Sequence, residues 1–321
     1  MMMYVYAVGG FVLLFGGGEF LVRGAVSVAR RFGISPLLIG MTIVAAATSA
    51  PELVVSVSAA LRGSSDIAIG NVIGSNVFNI LGVLGASAII TPVLVKPAAL
   101  RRDMTVMIGA TAALVAIALT GTIGRIPGAV LFASLVTYIV LSYRAELRSP
   151  ASEPAELHEH EAEEIKGTES VWLGVGNLAT GLIALVVGSR LLIDGATEIA
   201  LALGISEAVI GLTMVALGTS LPELATSVIA AFRGHADVAV GNVIGSNIFN
   251  TLGIMGATAL VRPVGVAPQI AALDIWVMLG VALLLAPFLM WRGRIGRFSG
   301  IAFLAIYVAY VVLLFSGMAA A

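Results

Sequence analysis

The chain has 321 residues, of which 59% are hydrophobic and only 11% charged, less than half the charged share of an ordinary soluble domain. Its formal net charge is −1, from 17 Lys and Arg against 18 Asp and Glu, and it has no cysteine. That balance excludes a soluble globular enzyme, offers no basic surplus for nucleic acid, and removes disulfides and thiolate metal sites.

A bilayer-spanning helix needs about 20 apolar residues, and the apolar runs and their breaks predict an all-α polytopic membrane protein with ten transmembrane helices. In chain order they cover 3–30, 36–61, 67–91, 104–121, 126–143, 171–202, 207–232, 238–261, 270–290 and 298–317. The opening MMMYVYAVGG has no basic stretch and no clear cleavage site, so it reads as a first span rather than a signal peptide. With ten spans both termini share a face, and 12 Lys and Arg residues, among them Arg101, Arg102, Arg144, Arg148, Arg233 and Arg297, fall on the other face against 3 on the terminal side. The positive-inside rule then puts both termini outside the cytoplasm of a cell (plasma or inner) membrane. The polar stretch 144–170 carries 8 of the 18 acids and reads as a solvated cytoplasmic tether between residues 1–143 and 171–321. Its run Glu156, His158, Glu159, His160, Glu161 could hold a metal weakly.

Residues 40–93 and 211–264 align without gaps at an offset of 171, with 33 of 54 positions identical. An odd number of spans separates the copies, so the two five-helix repeats lie in the membrane with opposite orientation, a pattern of secondary transporters. Each copy carries Thr-Ser-x-Pro-Glu in mid-span: Thr48, Ser49, Pro51 and Glu52, then Thr219, Ser220, Pro222 and Glu223. A proline inside a helix lacks the N–H that the carbonyl four residues back requires, so Pro51 frees Ala47 and Pro222 frees Gly218. Freed backbone at membrane depth persists only where it is buried in protein or lines a cavity. Beside it stands a glutamate, and an ionisable group at that depth is by default functional. Carbonyl, hydroxyl and carboxylate oxygens together suit hard cations such as Ca²⁺ and Na⁺.

The second motif, Gly-Asn-Val-Ile-Gly-Ser-Asn-x-Phe-Asn, covers 70–79 and 241–250. Its residues Asn71, Ser75 and Asn79, like Asn242, Ser246 and Asn250, share a helix face. Gly70 with Gly74, and Gly241 with Gly245, form strips that let a neighbouring helix come close. The asparagines Asn71, Asn76 and their copies serve equally well as ion ligands or as hydrogen bonds between helices. Glu19 with Arg23, and Arg190 with Asp194, each four residues apart, read as structural pairs or interface anchors.

The paired TSxPE and GNVIGSNxFN motifs in inverted halves resemble those of the sodium/calcium exchangers within the cation/calcium antiporter superfamily, in particular prokaryotic members of this length. The resemblance covers essentially the whole chain. It implies a central Ca²⁺ site from the carboxylates of Glu52 and Glu223 with the carbonyls of Thr48 and Thr219. It implies one Na⁺ site from the Ala216 carbonyl, Thr219, Ser220, Ser75 and Glu223, and a mate from the Ala45 carbonyl, Thr48, Ser49, Ser246 and Glu52. Asn79 and Asn250 would face the middle. Some relatives, including potassium-dependent exchangers, have Asp where this chain has Asn250, which argues against potassium co-transport. The implied activity is electrogenic Na⁺/Ca²⁺ antiport by alternating access, the first and sixth spans moving against the motif helices. It needs no cofactor and no obligate protein partner beyond the lipid bilayer. A proton-coupled Ca²⁺ or Mn²⁺ exchanger and a passive cation channel remain alternatives. An enzyme is not expected, since His235 stands at a loop and no nucleophile–base set is evident.

Overall fold

The computed structural model describes residues 2–32, 35–95, 97–148, 171–202 and 218–319. The helices follow the apolar runs. In the first half they are α1 (Met2–Phe32), α2 (Leu37–Thr48), α3 (Ala50–Leu61), α4 (Ser65–Ile90), α5 (Pro97–Ala118) and α6 (Arg125–Arg148). In the second they are α7 (Val171–Ala202), α8 (Leu221–Phe232), α9 (Ala236–Val261), α10 (Ile270–Trp291) and α11 (Arg297–Ala319). Seven are long and apolar enough to cross a bilayer, and the bent pair α2–α3 makes eight if it is one span. The chain is therefore an all-helical polytopic membrane protein. The polar stretch 149–170, with its acid-histidine run, lies outside the described residues, as does 203–217.

The sequence pattern gave no hint of strands, yet four two-residue ones occur: β1 (Val93–Leu94), β2 (Thr122–Ile123), β3 (Val264–Gly265) and β4 (Arg294–Ile295). β1 pairs antiparallel with β4 and β2 with β3, at the two ends of α5. Each pairing fastens a connection of the first half to one of the second. Such short bridges carry no periodicity that could announce them, and they form where two helix ends bring exposed backbone together.

The motif helices α4 and α9 are the most buried, and the large apolar core forms around them through Val72, Ile73, Val77, Val243, Ile244 and Ile248. α1, α6, α7 and α11 instead turn outward large apolar side chains such as Phe11, Ile126, Ile183 and Val308, as lipid-facing helices do. Glycines set the contacts between halves. A Cβ on Gly85 would lie 3.1 Å from the carbonyl oxygen of Gly300, and one on Gly256 would lie 3.0 Å from that of Gly128. α4 thus packs on α11 and α9 on α6, so each half wraps the other.

The most extensive seam joins α1 and α7. Gly10, Gly17 and Gly24 recur every seven residues along α1, as Gly174, Gly181, Gly188 and Gly195 do along α7. The two antiparallel helices meet at these positions. A Cβ on Gly17 would stand 2.9 Å from the Gly181 oxygen, and one on Gly24 2.7 Å from the Gly174 oxygen. In lipid, where apolar side chains gain nothing by leaving solvent, such backbone approach is what drives helix association. The first and sixth predicted spans therefore form one unit. Glu19 takes up Arg23 on its own helix, as the spacing predicts, and also Arg233 beyond α8, at 2.8 and 2.9 Å. Both arginines are half exposed or more, so this tie contributes at most about 1 kcal/mol. Their counterparts Arg190 and Asp194 are exposed.

Two aspartates hold neighbouring helices. Tyr138 of α6 donates to Asp103 at 3.0 Å beside Arg102, and Tyr310 of α11 donates to Asp274 at 2.9 Å. The two aspartates are 171 positions apart.

The seam predicts that Gly181→Ala lowers stability by about 1–3 kcal/mol, since its methyl group meets backbone that cannot yield. Gly16→Ala, where a Cβ finds open space, should be neutral or stabilising by about 0.5–1 kcal/mol. Thermal unfolding in detergent, followed by loss of the monodisperse peak, compares the two.

Candidate ion-binding site

The two Thr-Ser-x-Pro-Glu motifs form helix breaks, not kinks in continuous helices. α2 ends at Thr48, Ser49 stands between, and α3 begins at Ala50 with a bend of 45°. Pro51 falls in the first turn of α3, where its missing N–H costs nothing. The N–H groups at the break cap the carbonyls of Ala45 and Ala47. The Ala47 carbonyl that proline spacing predicts to be free is therefore recaptured. Ser220 and Pro222 open α8 in the same way, and the carbonyl of Gly218 accepts a hydrogen bond from Ser189 of α7 at 2.6 Å.

Ser49-x-x-Glu52 and Ser220-x-x-Glu223 have the spacing of a capping box, in which serine and glutamate bond each other's backbone. Neither serine caps its helix. Ser49 instead donates to Oε1 of Glu223 at 2.8 Å, and Ser220 donates to Oε1 of Glu52 at 3.0 Å while lying 3.2 Å from the Ser75 hydroxyl. The family resemblance groups each serine with the glutamate of its own motif; in this structure the pairing is crossed. Crossing brings the two carboxylates into one network at the starts of two helices, where the unsatisfied N–H groups and helix dipoles favour negative charge. Glu52 is 1% exposed and Glu223 0%.

The second motif braces these breaks. Asn71 donates to the Ser56 hydroxyl at 3.0 Å and the Glu52 carbonyl at 3.2 Å, and its oxygen lies 3.4 Å from Thr219. Asn242 repeats the set with Ser227 at 2.9 Å, the Glu223 carbonyl at 3.5 Å and Thr48 at 3.2 Å. In this structure these two asparagines bond helices together. Asn79 donates to Asn247 and Asn250 donates to Asn76, both at 3.2 Å. Their amide nitrogens are thereby fixed. Both residues stand where α4 and α9 widen into a π-type turn, over Asn79–Val83 and Phe249–Ile254, a feature frequent at functional sites.

Several buried oxygens have no hydrogen-bond partner among the described residues: Oε2 of Glu52 and Glu223, Oδ1 of Asn79 and Asn250, and Oγ of Ser246. A buried acceptor left without a donor is costly, and a hard cation satisfies several oxygen acceptors at once. Of the other residues in the implied ligand sets, Thr48, Ser75 and Thr219 are buried. The Ala45 carbonyl accepts from the Ser49 N–H at 3.0 Å and the Thr48 hydroxyl at 3.4 Å. Ala216 lies outside the described residues. Gly241 and Gly245 pack on the backbone of Leu37–Met41, as their strip predicts. The segment that the offset sets opposite Gly70 and Gly74 falls outside the described residues.

Comparison with known proteins decides the family. The family model described as "Sodium/calcium exchanger protein" matches residues 2–144 and again 173–316. The chain belongs to the sodium/calcium exchanger family. Members of this family are transporters and not enzymes, and their substrates are Na⁺ and Ca²⁺. The chain is 30% identical over 339 residues to the sodium/calcium exchanger MaX1 of Methanosarcina acetivorans, covering 95% of this chain and 96% of that one. It is 34% identical over 313 residues to the inner membrane protein YrbG of Escherichia coli, covering 95% and 94%. Its fold matches the solved structure of the sodium-calcium exchanger NCX_Mj, soaked with 2.5 mM Na⁺ and 0.1 mM Ca²⁺. The TM-score is 0.83 at 35% identity, covering 97% of this chain and 98% of that one.

Sequence reasoning missed the crossing of the serines and the bracing aspartates. The two Asp–Tyr ties were detectable, because Asp103 and Asp274 obey the same offset as the motifs. Asn71→Ala and Asn242→Ala should each destabilise the protein by about 1–3 kcal/mol, through a buried hydroxyl and a carbonyl left unbonded. Thermal unfolding measures the loss, and Ca²⁺ binding by calorimetry should persist in both variants.

Proposed function

We propose that this protein is an electrogenic, potassium-independent antiporter that exchanges Na⁺ for Ca²⁺ across the cell membrane by alternating access. The observation that carries this reading is the pair of helix breaks whose buried carboxylates, Glu52 and Glu223, share one crossed network with unpartnered oxygens around it. Ten spans as two inverted five-helix repeats, residues 1–143 and 171–321 joined by a cytoplasmic 144–170, with both termini outside the cytoplasm, form the frame of this proposal. The matching of the family model to both halves and the 12-to-3 sorting of basic residues support it.

The ligand sets follow the family resemblance. Glu52 and Glu223, with the carbonyls of Thr48 and Thr219, hold Ca²⁺, while Asn79 and Asn250 turn their free oxygens toward it. Thr219, Ser220, Ser75, Glu223 and the Ala216 carbonyl hold Na⁺ in one flanking site. Thr48, Ser49, Ser246, Glu52 and the Ala45 carbonyl hold it in the other. Ser49 and Ser220 donate their single protons to the opposite glutamates and keep oxygen lone pairs to offer an ion, so each flanking site is tied to both carboxylates.

Two carboxylates balance one Ca²⁺. They cannot satisfy Ca²⁺ and a full Na⁺ load together, so competition for shared ligands couples the fluxes. With the 3:1 ratio implied by the resemblance, three Na⁺ leave one surplus positive charge, and exchange moves net charge. Asn250, in place of the aspartate of potassium-dependent relatives, withholds the third carboxylate.

Protein reconstituted in liposomes loaded with Na⁺ should take up ⁴⁵Ca²⁺ when diluted into sodium-free medium, with or without potassium. A membrane potential set by valinomycin should change the rate. Uptake indifferent to the sodium gradient but driven by a pH gradient would sink sodium coupling, and flux without any counter-ion would indicate a channel. Glu52→Gln and Glu223→Gln should each reduce exchange to background while the protein still purifies as a monodisperse species. Normal exchange by either variant removes that residue from the site.

A further inference from the structure

The two helix breaks are built alike, yet their backbone is held differently. Pro222 has no N–H to offer the carbonyl four residues back, and that carbonyl belongs to Gly218. A side chain of another helix reaches it: Ser189 of α7 donates at 2.6 Å. Ser189 is 6% exposed and Gly218 is buried. The contact is steric as well, since a Cβ on Gly218 would lie 2.9 Å from Cγ1 of Ile193, one turn further along α7.

Among the described residues the first half has no such contact. The offset of 171 that relates the halves sets Gly18 opposite Ser189 and Ala47 opposite Gly218. Glycine has no hydroxyl, and the Ala47 carbonyl is capped by N–H groups of its own break. The glycine seam makes α1 and α7 one unit, so that unit grips the second break by a hydrogen bond and, among the described residues, the first by packing.

We propose that Ser189 is a positioning residue for the second half-site. Its hydroxyl holds the Gly218 carbonyl, and the place of the α1–α7 unit against the core thereby sets the backbone that carries Thr219, Ser220 and Glu223. This rests on the reading of Ser220 and Glu223 as ion ligands. Displacement of α7 breaks the bond and releases a carbonyl beside the ligands. By linkage, ions that require the held backbone favour the held position of α7 to the same degree. The two symmetry-related half-sites then differ in how strongly each senses that unit.

The test uses the full chain in detergent with two readouts. The first is hydrogen exchange without ions, read on peptides within 219–232. The second is the Ca²⁺ dissociation constant by calorimetry, with Na⁺ as competitor. Ser189→Ala should speed exchange in those peptides and weaken Ca²⁺ binding by about 3- to 10-fold, the loss of one buried hydrogen bond. Ser189→Thr, which keeps the hydroxyl, should restore both, and a monodisperse peak for each variant excludes misfolding. In double-mutant cycles on the dissociation constant, Ser189→Ala should couple to Ser220→Ala.

Unchanged exchange in Ser189→Ala overturns the proposal. So does faster exchange with an unchanged dissociation constant, which would make Ser189 a structural cap only. Wild-type protein that binds Ca²⁺ without competition from Na⁺ refutes sodium coupling, yet the Ser189 comparison still stands on Ca²⁺ alone. Wild-type protein that binds no Ca²⁺ overturns the ion-site reading and the positioning role with it. A difference in exchange would then record only the α7 contact.

Discussion

Within a bilayer no water completes an unfinished hydrogen bond, and the architecture follows from that constraint at two places where helices stop in mid-protein. Stopping a helix exposes its last carbonyls and the first N–H groups of the next one. Here the breaks fall on Ser49 and Ser220, and the surrounding chain is organised to complete them. Asparagines of α4 and α9 brace the backbone at Glu52 and Glu223. The serines, released from capping, reach across to the opposite glutamates. Each break is braced by an asparagine of its own half and tied by its serine to the glutamate of the other.

That mutual dependence explains why the polar network and the glycine contacts both run between halves. Burying two carboxylates side by side is unfavourable without a compensating positive charge. The helix starts supply part of it as fixed dipoles, and the ions proposed as substrates supply the rest. Around this centre the lipid-facing helices are joined by backbone approach, which gives them stiffness without polar groups. A rigid pair of helices lying against a polar core suits a device that must move one body past another without distorting either.

Much of this was legible in the sequence because the chain is written twice. The offset of 171 exposed the motif glutamates, the order of helices and the face shared by Asn71, Ser75 and Asn79. The detail that escaped was directional. Proline spacing located the break, yet a capping-box pattern at the same residues would have put a helix start at Ser49 and predicted the opposite hydrogen bonds. Whether a hydroxyl turns to its own backbone or to a partner 174 positions away depends on what packing brings within reach, and local spacing holds no record of that. The two-residue strands were invisible for the same reason. The glycine heptads of α1 and α7 stand in the sequence, but spacing alone does not say whether a glycine stripe faces lipid or another helix.

The seam has one more consequence, which concerns descent. Adding 171 to Gly10, Gly17 and Gly24 gives Gly181, Gly188 and Gly195, so α1 meets its own duplicate, running the other way. A surface that fits an inverted copy of itself is an isologous interface, the kind that closes two-fold dimers. A half-length ancestor bearing this seam would have been complete only as a pair, inserted in both orientations. Joining two such halves in one chain would fix the ratio of the partners at unity and let each copy drift on its own. Ser189, whose matching position in the other copy is Gly18, is a divergence that a chain carrying both copies can keep.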